Sequence, residues 1–295
     1  MNELKGTGVA MVTPFLEDGQ VDFKALQRLV KHLSDGMVEY LVIMGTTGES
    51  VTLSQDEQME VLKFIQNCNK KNLPLVLGMG GNNTAALIKR VKETDLSGIT
   101  AILSASPYYN KPSQEGIYQH YKALAEATDK PILLYNVPGR TSSNLTADTT
   151  LRLASDFKNI VGIKEASADM DQLMTIVENK HEDFLVISGE DGLTLPIIAC
   201  GGDGVISVVA NAYPKEFSDM VRAALNNEMK TARKLHYLLK SFIDLLFVEG
   251  NPAGVKDALK HLGVCEDNIR LPLWKISREL SSKIKERIYW ISENS

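Results

Sequence analysis

Eight short apolar runs, each followed by a stretch with helical signals, constrain the fold of this chain more than any other feature. The runs are Gly8–Thr13, Tyr40–Met44, Leu75–Met79, Ile99–Ser104, Ile132–Asn136, Ile160–Lys164, Leu185–Ser188 and Gly204–Val208. They are close to continuously apolar rather than alternating, which is the pattern of strands buried on both faces. Helix starts fall between them. Asp22 can cap a helix carrying Phe23, Leu26, Leu29, Val30 and Leu33 and ending near Gly36. Ser54-Gln-Asp-Glu57 reads as a capping box, and Ser113, Thr146 and Asp169 stand where further caps are needed. Buried strands alternating with amphipathic helices imply a parallel sheet covered by helices. Eight such units predict an α/β fold, a closed (β/α)8 TIM barrel, with an open doubly wound sheet as the alternative.

From about residue 226 the alternation stops. Glu228–Phe247, Ala253–Leu262 and Pro272–Ile291 read as helices with no strand between them. The expected division is a catalytic barrel over 1–225 and a small C-terminal helical domain over 226–295.

Composition narrows the class. A net charge of −5 offers nothing to attract nucleic acid or an anionic membrane. Glycines and polar residues interrupt every apolar stretch before it reaches membrane-spanning length. The first residues lack the basic and then apolar segments of a secretory signal, so a cytoplasmic protein is expected. Cys68, Cys200 and Cys265 are scattered and odd in number, against a disulfide framework. The five histidines have no metal-ligand spacing, and no metal is expected.

In barrel enzymes the chemistry lies on the loops that follow the strands. Lys164, at the end of the sixth run, is the candidate of most consequence. A lysine on a buried strand is expensive to keep charged, and a neutral amine attacks carbonyl carbon. Ile160 and Gly162 are expected to share its face, with Gly162 leaving room beside the lysine stem. Gly45-Thr-Thr-Gly-Glu-Ser50 follows the second run and offers amides and hydroxyls to an anion, without the lysine of a nucleotide-binding loop. Ser106-Pro-Tyr-Tyr-Asn-Lys-Pro112 is a stiff aromatic loop after the fourth run. Tyr135-Asn-Val-Pro-Gly-Arg-Thr141 follows the fifth, with Tyr135 in phase with Leu133 and Arg140 available as a fork for a carboxylate. Ser188-Gly-Glu-Asp-Gly192 and Ser207–Asn211 follow the last two, while Gly201–Gly204 precedes the eighth and belongs to the opposite rim. Taken singly, each has an ordinary explanation: a snorkelling lysine, a turn, packing at an interface, a surface ion pair. Gathered on one rim, they are the parts needed to bind a 2-oxo acid and convert it to an imine.

Gly45–Ser50, Pro107–Gly116, Tyr135–Thr141, Gly162-Ile-Lys-Glu-Ala-Ser167 and Leu246-Phe-Val-Glu-Gly-Asn-Pro252 together resemble the pyruvate-dependent class I aldolases of the N-acetylneuraminate lyase superfamily. The resemblance runs from about Gly6 to about Pro272. It implies a lyase in which Lys164 forms a Schiff base with pyruvate and Tyr135 moves protons beside it. Thr46 and Tyr109 would complete a proton relay, Tyr109 reaching in from a neighbouring subunit. Thr47 and the backbone of Ile206 match pyruvate-binding positions, and Gly189 lies where a carbonyl faces the pocket. Arg140 matches the residue that receives the carboxylate of L-aspartate 4-semialdehyde. The implied product is 4-hydroxy-tetrahydrodipicolinate, in lysine and diaminopimelate biosynthesis. No dissociable cofactor is implied, and the assembly would be a homotetramer, a dimer of dimers. A relative acting on sugar-derived 2-oxo acids such as N-acetylneuraminate is the alternative, and a ligand-binding barrel without turnover is a second.

One departure from the family pattern stands out. Lysine-inhibited members carry an effector pocket at the subunit interface, matched here by Ser50, Asn82 and Tyr108. Gln55 and Gln58 stand in place of histidines, and Ala86 in place of a glutamate. The resemblance therefore implies a vestigial pocket and weak or absent feedback by lysine.

Overall fold

The computed structural model describes residues 1–295. Eight strands close into a barrel in sequence order: β1 (Gly6–Ala10), β2 (Tyr40–Ile43), β3 (Leu75–Gly78), β4 (Ala101–Ala105), β5 (Ile132–Asn136), β6 (Ile160–Glu165), β7 (Leu185–Ser188) and β8 (Gly204–Ser207). Every neighbouring pair is parallel, including the closing pair β1–β8. The predicted TIM barrel is therefore present, and the open-sheet alternative is excluded.

Two apolar clusters account for the continuous hydrophobicity of the strands. Ala10, Tyr40, Val42, Val76, Leu103, Leu133, Leu185, Ile187 and Ile206 fill the barrel interior. The intervening residues, among them Val9, Leu41, Leu77, Ile102, Leu134, Ile163 and Val186, face outward and pack beneath the helices. Both faces of each strand are thus removed from water, at roughly 25 cal/mol for each Å² of apolar surface buried.

The anticipated caps form. Asp22 accepts from Ala25 N, Ser113 from Gly116 N, Thr146 from Thr149 N and Asp169 from Gln172 N. Ser54 and Glu57 make the reciprocal capping box. The last helix differs from expectation: it spans Arg278–Asn294 and is capped by Ser277, not Pro272–Ile291. Ser277 holds the start with its side chain, and Glu249 binds both the amide and the hydroxyl of Ser277. The strand β1 begins two residues earlier than the apolar run suggests, because Gly6 N is held by Asp203 O on the opposite rim.

Strand β6 carries an irregularity that determines what lies beside Lys164. Ile132 pairs with Ile160, but Leu133 pairs with Gly162, so Val161 is an extra residue on β6. Ile160 consequently belongs to the outer layer with the helices. The expectation that Ile160 shares the face of Lys164 is corrected by this bulge, since one added residue reverses the alternation. A Cβ at Gly162 would lie 2.7 Å from Leu185 O and 3.1 Å from a Leu133 methyl. Its bareness accommodates those neighbours, not the lysine stem.

Candidate active site

Lys164 and Tyr135 are register partners on β6 and β5, at the end of the strands where the following loops begin. Both are buried, at 6% and 8% exposure. The Lys164 amine lies 4.4 Å from the centroid of the Tyr135 ring, close enough for the ring face to stabilise a cation. The glycine that makes room for the lysine is Gly189, just past β7. A Cβ there would come within 3.0 Å of Lys164 Cε and 2.5 Å of Ala166 Cβ.

The turn after β2 is built so that its two threonines diverge. Thr46 is exposed toward the barrel mouth and Thr47 is buried. Gly48 N and Glu49 N close back on Gly45 O and Thr46 O, and Thr13 Oγ1 donates to Gly48 O. Glu49, in the left-handed region at φ 52°, sends its carboxylate into the protein. There it forms a fully buried ion pair with Lys256 and accepts from Arg270 N. Thr47 Oγ1 accepts from Asn251 Nδ2 at 3.0 Å. The C-terminal segment thus holds the threonine turn through Asn251, Lys256 and Arg270.

Arg140 sits on a single helical turn, Pro138–Thr141, with Pro138 at its first position. It is exposed and lines a cavity of about 620 Å³, as do Thr46 and Tyr135. Ser50 and Tyr108 line this cavity as well. Asn82 lies outside its lining but holds the aromatic loop by accepting from Tyr108 N at 2.9 Å. Ile206 is buried in the barrel interior at the end of β8. Tyr109 is not brought into the site of its own chain: it is 88% exposed, at φ 72°.

Three groups near this centre were given no role of their own by sequence reasoning. Glu165, beside Lys164 but facing the other way, accepts from Asn136 Nδ2 (3.0 and 3.1 Å), Ser167 N and Gln172 Nε2. Burial pushes its carboxyl above the usual range, opposed by those hydrogen bonds. It ties the ends of β5 and β6 together directly behind Tyr135 and Lys164. Asp191 accepts from Val208 N and Val209 N, fixing the backbone just after Ile206. Burial raises its pKa, while the backbone bonds and Lys164 lower it. Glu190 is raised by burial and by Asp191, against the opposite pull of Lys164 and Arg140. Two successive acids after β7 were the available signal for this pair. Asn251 stands within the Leu246–Pro252 motif, but its hold on Thr47 had no local signal, because the two are 204 positions apart.

No group of three or more His, Cys, Asp or Glu side chains is arranged to hold a metal ion. No helix is long and apolar enough to cross a membrane.

The chain is similar over nearly its whole length to known proteins. A family model described as the dihydrodipicolinate synthetase family matches residues 3–290. A 4-hydroxy-tetrahydrodipicolinate synthase of Flavobacterium psychrophilum is 55% identical over 284 residues, covering 96% of this chain and 97% of that protein. The crystal structure of dihydrodipicolinate synthase from Aquifex aeolicus superposes with a TM-score of 0.94 at 40% identity, covering 99% of each chain. A chloride-inhibited dihydrodipicolinate synthase from Acinetobacter baumannii, solved with pyruvate, gives 0.95 at 39% identity over 98% of this chain and 99% of that one.

Proposed function

The chain belongs to the dihydrodipicolinate synthetase family and is a lyase that forms 4-hydroxy-tetrahydrodipicolinate, and we propose that Lys164 carries the reaction as a Schiff base with pyruvate. The observation that supports this most directly is the pairing of a buried amine with a buried phenol on adjacent strands. The amine attacks the pyruvate carbonyl, and loss of water gives a protonated imine. That imine withdraws electrons, so the pyruvate methyl loses a proton and an enamine forms. The enamine carbon attacks the aldehyde of L-aspartate 4-semialdehyde. The amine of that substrate then displaces Lys164 by transimination, closing and releasing the heterocycle.

Tyr135 is the proton carrier at this centre, and Thr46, lining the same cavity, connects it toward the mouth. A phenol acting near neutral pH needs such a relay, because its ordinary pKa is about 10. Thr47 and the Ile206 backbone receive pyruvate, and Gly189 presents its carbonyl beside them. Arg140 takes the carboxylate of the semialdehyde as a bidentate fork.

The exposed Val51, Tyr108 and Tyr109 support an assembly in which a second copy covers this surface. In that assembly Tyr109 completes the relay of a neighbouring subunit, and two such pairs make a homotetramer. The barrel over 1–225 carries the chemistry, and the helical domain over 226–295 braces the threonine turn. The protein acts in the cytoplasm in lysine and diaminopimelate biosynthesis.

Mass spectrometry after incubation with pyruvate and borohydride tests the central step. One adduct is expected on Lys164, and none in Lys164→Ala or Lys164→Arg. An adduct elsewhere, or none in the parent chain, would sink the imine reading. A coupled assay with a reductase that consumes the product tests the second substrate.

A further inference from the structure

Glu165 has no part in the reaction above, although it follows Lys164 directly in β6. Its side chain is buried on the side of the strand away from Lys164, where it cannot touch a substrate bound to the amine. Its hydrogen-bond partners are neutral. Asn136 Nδ2 lies 3.1 and 3.0 Å from its two oxygens, Ser167 N donates to one at 2.8 Å and Gln172 Nε2 to the other at 3.0 Å. Donors facing both oxygens favour the ionised form.

An ionised carboxylate can only accept, so the Asn136 amide must turn its nitrogen toward Glu165. The same nitrogen donates to Asn144 Oδ1 at 2.7 Å, and Asn136 Oδ1 is left to accept from Leu145 N at 2.9 Å. A flipped amide would set oxygen against carboxylate and its own protons against the Leu145 N–H. One orientation alone satisfies both sides.

The segment closed in this way carries Arg140. The chain leaves β5 at Asn136, forms the turn Pro138–Thr141, passes Ser142 in the left-handed region at φ 55° and returns to the Asn136 side chain. Gln172, on the helix Met170–Asn179, closes the base from the other side. Its Nε2 reaches Glu165 and also Leu145 O at 3.3 Å, and its Oε1 accepts from Asn144 Nδ2 at 2.8 Å. Arg140 itself is exposed, so the backbone of this clamped turn sets where its fork stands.

We propose that Glu165 is a positioning residue for the second substrate: through Asn136 it fixes the base of the Arg140 turn, and so holds the guanidinium where the semialdehyde carboxylate arrives. This assignment rests on Arg140 being the partner of that carboxylate. It gives Glu165 no contact with substrate and no proton to transfer.

The test is a double-mutant cycle on the full chain. It is read by kcat/KM for the semialdehyde and, separately, by the rate at which pyruvate and borohydride label Lys164. Glu165→Gln sets an amide donor among donors. It is expected to lower kcat/KM for the semialdehyde by about tenfold, with labelling within about twofold of the parent. In the Arg140→Ala background the same change is expected to shift kcat/KM by less than about twofold, because the fork it positions is gone. Gln172→Ala removes the outer half of the clamp and should show the same pattern at about threefold, which preserves the test should Glu165→Gln fold poorly. Labelling and kcat/KM falling together would mean a merely structural role and overturn the proposal. Full additivity with an impaired Arg140→Ala, or parental kcat/KM in both single variants, would overturn it too. Parental kinetics in Arg140→Ala itself would overturn the reading of Arg140, and this assignment with it.

Discussion

Tyr135 and Lys164 stand opposite each other on β5 and β6, the amine 4.4 Å from the ring centroid, with Glu165 fastening the same two strand ends from behind through Asn136. The proposed reacting pair, set on adjacent rigid strands, keeps its geometry without help from a mobile loop.

Removing the phenol alone should therefore leave the frame intact. Tyr135→Phe is expected to lower kcat by about 10²–10⁴-fold, the usual contribution of a positioned proton carrier, with little change in KM for pyruvate. Steady-state kinetics with each substrate varied in turn would check this. An unchanged kcat would remove Tyr135 from the mechanism.

Arg140 should separate the two substrates. Losing a charge-assisted hydrogen bond costs about 1.5–3 kcal/mol. Arg140→Ala is thus expected to reduce kcat/KM for the semialdehyde by roughly 10–100-fold, while pyruvate still labels Lys164. Loss of labelling would place the arginine at the pyruvate end instead.

The buried pair Glu49–Lys256 joins the threonine turn to the C-terminal helices. Lys256→Met leaves a buried carboxylate without its partner and should destabilise the fold by about 3–5 kcal/mol. The double variant Glu49→Gln/Lys256→Met should recover part of that loss. Denaturant unfolding of the three chains gives the comparison; no recovery in the double variant would mean the pair is not what holds the turn.

His120 introduces a pH dependence. It is buried against Thr84 and Tyr121, and desolvation lowers its pKa to about 4. Between about pH 4 and 6.5 the unfolded chain binds a proton that the folded chain does not. Stability therefore rises with pH across this window, and falls as pH drops from 6.5 toward 4, by on the order of 3 kcal/mol in all. His120→Gln should flatten this part of the profile. A parent and variant with parallel stability curves from pH 4 to 7 would contradict it.

Feedback by lysine should be weak. Ala86, Gln55 and Gln58 supply no carboxylate to the effector's ammonium group, and Arg90 lines the same cavity as Gln58. The inhibition constant is expected to exceed about 1 mM, equivalent to less than roughly 4 kcal/mol of binding. A submillimolar constant in the coupled assay would refute this.

How much of this was legible in the chain depends on how local each signal is. The caps at Asp22, Ser54, Ser113, Thr146 and Asp169 are read within four residues of themselves, and all form. The last helix was misplaced because Leu273 and Ile276 fit a helical stripe, whereas the extended Ser277 and its bonds to Glu249 start the helix later.

The sequence by itself determined the barrel, its eight strands and the rim on which Lys164, Tyr135, Thr46 and Arg140 gather. Apolar periodicity and loop position are properties of neighbouring residues, and eight repetitions leave few ways to bury them. Only the tertiary structure decided that Val161 bulges and turns Ile160 outward, that Gly189 rather than Gly162 clears space for the lysine, and that Asn251 grips Thr47. It alone showed Glu165 and Asn136 bonded at the base of the Arg140 turn. These features depend on pairings between distant segments, and closure of the chain into one barrel is what brings such segments within hydrogen-bonding distance.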